Sequence, residues 1–396
     1  MTGSRDRAWL AAMVFAVLLG QVLLYPGVDR LVGALGATTD LDASMWFLAA
    51  EFAAFVAFAG VWGAASDRAG RRTPFIAAGA LGGSAGYLAL AVLPGFAALS
   101  FESVLVVRTL QGAATIGAFS LAMTMLMDLE GGHGRNMAAA GAAIGGGTAL
   151  GAPLGGQLYE VGPFLPLYLA SALLAAVAVL ALAVDDRAPA GDRDSLARAL
   201  ANLRGTPTLA VPYAFGFLDR LTAGFFALVG TLYFRSAFEL GPGATGLMLA
   251  LFFAPFALLQ YPMGILSDRV GRTAPIVAGS ACYGLVVIAV GRAPTVELAG
   301  VGMLAVGVLG ALMSPATMAL VTDLADERER GVAMAGFNVF GSLGFLAGVV
   351  VGDGVASAYG YPEAFLVAGG LEILVAAATL PVFLRLNVGR TATFAE

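Results

Sequence analysis

The sequence predicts an all-α polytopic membrane protein, with 12 transmembrane helices in two pseudo-symmetric six-helix bundles. Three observations carry this expectation. Hydrophobic residues make up 59% of the 396 and charged residues only 12%, against about 25% charged in a soluble domain. Apolar runs of about 20 residues, the length that crosses a bilayer, recur along most of the chain. The segment Gly63-Ala64-Ala65-Ser66-Asp67-Arg68-Ala69-Gly70-Arg71-Arg72 returns 201 residues later as Gly264-Ile265-Leu266-Ser267-Asp268-Arg269-Val270-Gly271-Arg272, and each copy lies between two apolar runs.

Setting apolar runs against breakers gives spans near 8–28, 44–65, 74–93, 97–127, 136–158 and 164–184. A second set falls near 208–234, 244–266, 274–292, 295–322, 331–357 and 362–384. The first run, Ala8 to Leu24, lacks a small-residue cleavage site and reads as a retained helix, not a signal peptide. The expected organisation is a bundle over 1–184, a cytoplasmic linker over 185–207 and a second bundle over 208–396. Within the linker, Ser195 to Arg204 has the pattern of a short surface helix.

Arginine placement sets the expected orientation. All 21 basic residues are Arg. A cytoplasmic N-terminus puts 16 of the 21 on the inner side, from Arg5 and Arg7 through the charged loops and linker to Arg385 and Arg390. Arg30, Arg235 and Arg292 then face outward, and Arg108 and Arg220 lie within helices. Both termini are expected inside the cell membrane. Cys282, the lone cysteine, excludes an intrachain disulfide and a Cys-based metal cluster and reads as a small packing residue. No cofactor or metal is implied, nor is a nucleic-acid partner, and a monomer in the lipid bilayer is expected.

The duplication shows a second time. Asp128 and Asp323 close the fourth and tenth spans, Arg135 and Arg330 follow each at the same distance, and Glu102 and Glu297 share the 195-residue offset. Halves related in this way form two bundles around a central pathway, with substrate near mid-membrane.

The motif Gly-x-x-x-Asp-Arg-x-Gly-Arg-Arg between spans 2 and 3 resembles the hallmark loop of the major facilitator superfamily. Its residues are Gly63, Asp67, Arg68, Gly70, Arg71 and Arg72. The second copy, with Gly264, Asp268, Arg269, Gly271 and Arg272, has Thr273 in place of the second basic residue. The resemblance implies a role in stabilising the outward-facing state. Physically, the first Gly would allow close packing and the Asp would accept from helix N-terminal amides. The arginines would anchor at the inner surface or pair with carboxylates. Span 4 carries Arg108-Thr109-Leu110-Gln111-Gly112, which resembles the Arg-x-x-Gln-Gly element of proton-coupled members. Span 5 carries Gly151, Pro153, Gly155 and Gly156, which resembles the Gly- and Pro-rich element of the exporters, with the Pro displaced by one position.

Charges inside spans are costly and mark candidate functional positions. Arg108 lies about 12 Å deep counted from Ser100, and Glu51 about 9 Å deep counted from Met45; these depths permit an ion pair or a shared water network. Asp219 and Arg220 lie about 15 Å along span 7. Asp219 is expected to face the cavity as a protonatable carboxylate tuned by Arg220, or else to form a structural bridge. Glu372, central in span 12, either pairs with a neighbouring helix or marks an unusual site. Asp29 and Arg30 belong to the outer rim. Gln21, Gln260 and Asn338 read equally as interhelical glue and as substrate contacts. The aromatic residues crowding spans 7 and 8 offer a lining for a hydrophobic guest, and His133 reads as a solvated loop residue.

The function expected is a secondary transporter working by alternating access, most simply proton-coupled efflux of small amphipathic molecules. An uptake symporter for an organic anion or other nutrient is the alternative, with Arg108 and Arg220 on the substrate. A receptor or scaffold would have no use for buried charge. No catalytic set or nucleotide loop points to an enzyme.

Overall fold

The computed structural model describes residues 2–37, 40–96, 99–130, 133–186, 206–326 and 330–386. Among them no strand forms. Inside lipid a backbone amide has no water to bond, so a crossing segment must close its own hydrogen bonds, as a helix does. The helices are α1 (Thr2–Val22), α2 (Val28–Ala34), α3 (Asp40–Ala69), α4 (Thr73–Val92), α5 (Phe101–Asp128), α6 (His133–Val161) and α7 (Leu165–Ala181). They continue as α8 (Ala210–Phe225), α9 (Thr231–Ala237), α10 (Pro242–Val270), α11 (Thr273–Val290), α12 (Val296–Leu324), α13 (Arg330–Tyr359) and α14 (Tyr361–Leu386). Among the described residues, eleven stretches are long and apolar enough to cross a membrane, and α7 is a shorter apolar helix of 17 residues. Most of the linker, including 195–204, lies outside the described residues, as does the His133 side chain.

The helices are apolar around their circumference, as membrane spans are. Leu110, Val179, Leu258 and Leu374 point outward. Cys282 is exposed on α11, so it is not the packing residue that its apolar setting suggests. Most helices run past their expected ends because polar residues such as Asp67-Arg68 and Asp268-Arg269 still complete the last turn. The fourth and tenth spans start where a hydroxyl caps them. The side chains of Ser100 and Thr295 accept from the amides of Ser103 and Leu298, each at 3.4 Å.

Two spans are not single helices. The first breaks after Val22, with a 3-10 turn over Tyr25–Gly27. There Tyr159 donates its hydroxyl to the Leu24 carbonyl at 3.2 Å. The Tyr159 ring fills the space at Gly27, where a Cβ would lie 2.6 Å from it. The seventh span passes from α8 through a π-helical segment, Phe226–Gly230, into α9.

By packing, the chain divides into two compact units. One comprises Met1–Arg193 with Thr231–Ala250, and the other Asp194–Gly230 with Leu251–Glu396. Residues 231–250, grouped with the second half by sequence, therefore pack with the first unit. The seventh span changes unit directly after its π-helical segment.

Inside each unit the same seam recurs. In the first, Gly147, Gly151 and Gly155 of α6 face the backbone oxygens of Phe15 and Leu19 of α1 and of Leu23 just beyond it; a Cβ on Gly155 would lie 2.0 Å from the Leu23 oxygen. In the second, Gly344 and Gly348 of α13 face the oxygens of Phe217 and Leu221 of α8, and Gly352 faces the Phe225 ring. A Cβ on Gly348 would lie 1.9 Å from the Leu221 oxygen. The three glycine pairs are each 197 residues apart and the three partner pairs each 202. The duplication is thus a repetition of contacts as well as of loops.

Candidate functional site

In the first unit α3, α4 and α5 bring together the residues singled out in spans 2 and 4. Arg108 and Gln111 share a face of α5 at i, i+3 spacing. Gly112 lets α3 approach that face, since a Cβ there would lie 3.0 Å from the Glu51 Cα. Arg108 Nη2 meets Glu51 Oε2 at 2.5 Å, and Nη1 donates to Gln111 Oε1 at 2.6 Å. Its Nε donates to the Phe47 carbonyl at 3.4 Å. Tyr87 of α4 donates to Glu51 Oε1 at 3.2 Å. Gln111 Nε2 reaches the same oxygen at 3.4 Å and Thr115 Oγ1 at 2.8 Å. The guanidinium lies over the Phe47 ring at 4.5 Å and the Tyr87 ring at 5.4 Å, a cation–π setting.

Glu51 and Arg108 are both 0% exposed. Burying two charges is costly, and good geometry with additional hydrogen bonds is what repays it. Sequence reasoning missed Tyr87, Phe47 and Thr115. One signal was available for Tyr87, since Tyr283 stands 196 residues later in the corresponding span.

The second unit holds a different cluster. Asp219 of α8 is mostly buried, its side chain 15% exposed, whereas Arg220 is 51% exposed. Their nearest charged atoms are 4.0 Å apart, a loose pairing for neighbours pointing about 100° apart on a helix. Glu372 of α14 is fully buried. It accepts from Ser280 of α11 at 2.5 Å and from Thr222 of α8 at 3.4 Å. Neither hydroxyl stands out in the sequence, because Ser and Thr are common inside membrane helices.

The duplicated loops differ from expectation in three details. Gly63 has open space around it, with nothing within 4 Å of an added Cβ, so it serves no close approach. The glycines with a conformational task are Gly70 and Gly271, at φ 63° and 85°, where the chain leaves α3 and α10 left-handed. The amides of Arg72 and Thr73 donate not to Asp67 but to Asp186, at 2.8 and 3.3 Å. Asp67 instead lies 3.8 Å from the buried Arg72, which bonds Asp128 at 2.7 Å. In the second copy Arg272 meets Asp268 at 2.5 Å and Asp323 at 3.1 Å. Arg71 reaches Asp186 at 3.4 Å, while Arg68 and Arg269 are exposed.

In span 5 Gly147, Gly151 and Gly155 are accounted for by the seam with span 1. Pro153 stands within a continuous α6, on the side turned to the start of α10. There a Cβ on Gly246 would meet the Ala152 oxygen at 2.3 Å, and one on Gly156 the Pro242 oxygen at 2.4 Å. At the rim Asp29 pairs with Arg235 at 2.8 Å, and Arg30 lies 3.5 Å from Glu160. Glu160 also accepts from the Gly243 amide at 3.0 Å. Of the remaining candidates, Gln21 is buried, Gln260 half-buried and Asn338 exposed. Phe215, Phe225, Phe226, Tyr233, Phe252 and Phe253 are core residues, whereas Tyr261 is exposed. No group of His, Cys, Asp and Glu among the described residues has the arrangement of a metal site.

The family profile described as Major Facilitator Superfamily matches residues 10–233 and 213–394. The chain belongs to the Major Facilitator Superfamily. That family is one of membrane transporters, not of enzymes. An uncharacterized transporter of the superfamily from Methanocaldococcus jannaschii is 31% identical over 164 residues, 40% of this chain and 41% of that one. A quinolone resistance transporter of Acinetobacter baumannii is 28% identical over 184 residues, 45% of this chain and 41% of that one. The matches thus span about two fifths of the length of these curated relatives. Among solved structures, a bacterial homolog of the human lysosomal transporter Spinster, in an inward-facing and occupied conformation, superposes with a TM-score of 0.79. It is 14% identical, and the match covers 97% of this chain and 98% of that one. At that identity the likeness is one of superfamily fold.

Proposed function

We propose that this member of the superfamily exports small amphipathic molecules in exchange for protons, by alternating access between two six-helix bundles, residues 1–184 and 208–396. The observation that carries the reading is the wholly buried Glu51–Arg108 pair. Protonating Glu51 removes one charge of the pair and loosens the Nη2 donor of Arg108 from its partner, so proton binding is tied directly to rearrangement of α3 against α5. A carboxylate here or at Asp219 takes a proton from outside; protonation releases substrate there, and deprotonation inside resets the carrier. Gln111 and Arg220 complete the polar groups available to substrate. The quinolone resistance transporter among the relatives favours the outward direction. The protein acts as a monomer in the cell membrane with both termini cytoplasmic. The loops at Gly63–Arg72 and Gly264–Arg272 and the Gly- and Pro-rich element Gly151–Gly155 control its change of state.

One observation favours a second reading, uptake of an organic anion. Arg220 is half exposed and held only loosely by Asp219, which leaves guanidinium donors for a substrate carboxylate.

The test is transport by the full chain in liposomes with an imposed pH gradient and a clamped membrane potential, using ethidium and norfloxacin as probes. Probe movement against the direction of proton flow supports exchange. Movement with the protons sinks it in favour of symport, and equilibration insensitive to the gradient sinks both.

A further inference from the structure

Glu372 is fully buried, and among the described residues no cation pairs with it. The elements around it supply a limited set of groups. Ser280 of α11 and Thr222 of α8 donate hydroxyls to its carboxyl. The titratable groups that act on it electrostatically are Asp219 of α8 and, from α11, Tyr283. From α13 come Gly348, Val351 and Gly352, which line a small space beside Leu371.

The duplicated half shows what this junction needs for packing alone. Ser84 corresponds to Ser280, 196 residues on, and Ser171 to Glu372, 201 residues on. Ser84 donates to the Ser171 carbonyl at 2.9 Å, and Ser280 makes the same contact with the Glu372 carbonyl at 3.4 Å. The side chains then meet: Ser84 with Ser171 at 3.0 Å, and Ser280 with Glu372 at 2.5 Å. A hydroxyl therefore suffices to join the two helices. The second half has a carboxyl instead, buried among membrane-spanning helices where ionisable groups are expensive, and a carboxyl can do what a hydroxyl cannot near neutral pH: take up and release a proton. Asp219 stands one turn of α8 before Thr222, the residue whose hydroxyl donates to Glu372, so the two carboxyl groups share this junction beside one cation, Arg220. Only one negative charge is thereby matched, and two acids acting on each other titrate as a pair.

We propose that Asp219 and Glu372 form a carboxyl pair holding one exchangeable proton, with Asp219 as the port to water and Glu372 as the buried store. On loading, a proton from water forms an O–H bond on Asp219. That bond breaks as one forms on a Glu372 oxygen, and the negative charge returns to Asp219 beside Arg220. Release reverses both steps, with no other reactant. This inference rests on the proton-coupled reading above and adds a second site to it, in the unit that lacks the Glu51–Arg108 pair.

Infrared acid–base difference spectra of the reconstituted full chain test it without any substrate. A protonated-carboxyl C=O band should be present in the wild type and absent in Glu372→Gln and Glu372→Ser, the latter borrowing the residue of the first half. Asp219→Asn should shift that band's titration. A band unchanged in both Glu372 variants overturns the proposal. Failure of both variants to fold, judged by size-exclusion profile and melting, overturns it too, because Glu372 would then be structural. In liposomes, Glu372→Ser should lose at least tenfold in pH-driven ethidium movement while keeping ethidium exchange; wild-type driving would overturn the proposal. Should the wild type itself move no ethidium, the export reading fails, and the infrared band still decides this one.

Discussion

Arg272 bonds Asp323 at 3.1 Å, the contact that Arg72 makes with Asp128 at 2.7 Å in the other half. In the repeat, Arg272 is the counterpart of Arg71, not of Arg72, whose own place is taken by Thr273. One arginine, displaced by a residue, recovers the bridge to the helix-closing carboxylate. The two bridges differ in burial, however. Arg72 is 1% exposed, whereas Arg272 is 17% exposed between partners that are 65% and 42% exposed.

That difference sets unequal costs. Arg72→Ala should destabilise by about 2 kcal/mol, since a buried side chain and its charged hydrogen bond to the part-exposed Asp128 are both lost. Arg272→Ala should cost below about 1 kcal/mol, as exposed pairs do. Melting of the two variants in detergent gives the comparison, and equal shifts would contradict it.

Glu51 and Arg108 should prove strongly non-additive. Arg108→Ala leaves a buried carboxylate without its cation, so Glu51→Gln added to it should restore part of the lost stability. Thermal unfolding of both single variants and the double variant closes the cycle. Additive losses would mean that the two residues act separately.

Glycine substitutions should separate by position. Gly155→Ala and Gly348→Ala force a methyl against a backbone oxygen, and overpacking of this kind costs about 1 to 3 kcal/mol. Gly63→Ala meets nothing and lies within α3 at ordinary dihedrals, so its melting should be unchanged or slightly raised. Expression and melting of the three variants check the ranking, and a destabilised Gly63→Ala would contradict it.

Asp219→Asn should abolish proton-coupled transport with little change in melting, because its only charged contact within bridging distance among the described residues, Arg220, lies at 4.0 Å. Flux measured with and without a pH gradient distinguishes the outcomes. Unchanged coupled flux would remove Asp219 from the mechanism.

Much of this architecture is legible in the sequence because lipid imposes a single local rule: long apolar runs become helices, and charges within them stand out. Depth counting brought Glu51 and Arg108 to similar levels, and the structure pairs them. What the sequence does not display is the direction of each side chain. Tyr87, Phe47, Ser280 and Thr222 are unexceptional residues in apolar helices, and only the rotation of each helix makes them partners. The break at Leu23–Gly27 was hidden for a related reason, since it is sustained by Tyr159, far away in the chain. In the loops, Gly63 begins the repeated motif yet touches nothing, and the capping carboxylate Asp186 lies beyond the end of span 6.

The paired glycine seams bear on how far two descendants of one ancestral unit can drift apart. Where backbone rests on backbone there is no side chain to trade, so Gly147, Gly151 and Gly344, Gly348 leave divergence no foothold. Glu51 corresponds to Phe252 in the repeat, Arg108 to Met303 and Ser171 to Glu372: two charges stand opposite apolar residues in the alignment of the halves, and a hydroxyl opposite a carboxyl. The seams act as the inherited chassis of the molecule, and each copy has acquired its own chemistry only in the places that the chassis leaves free.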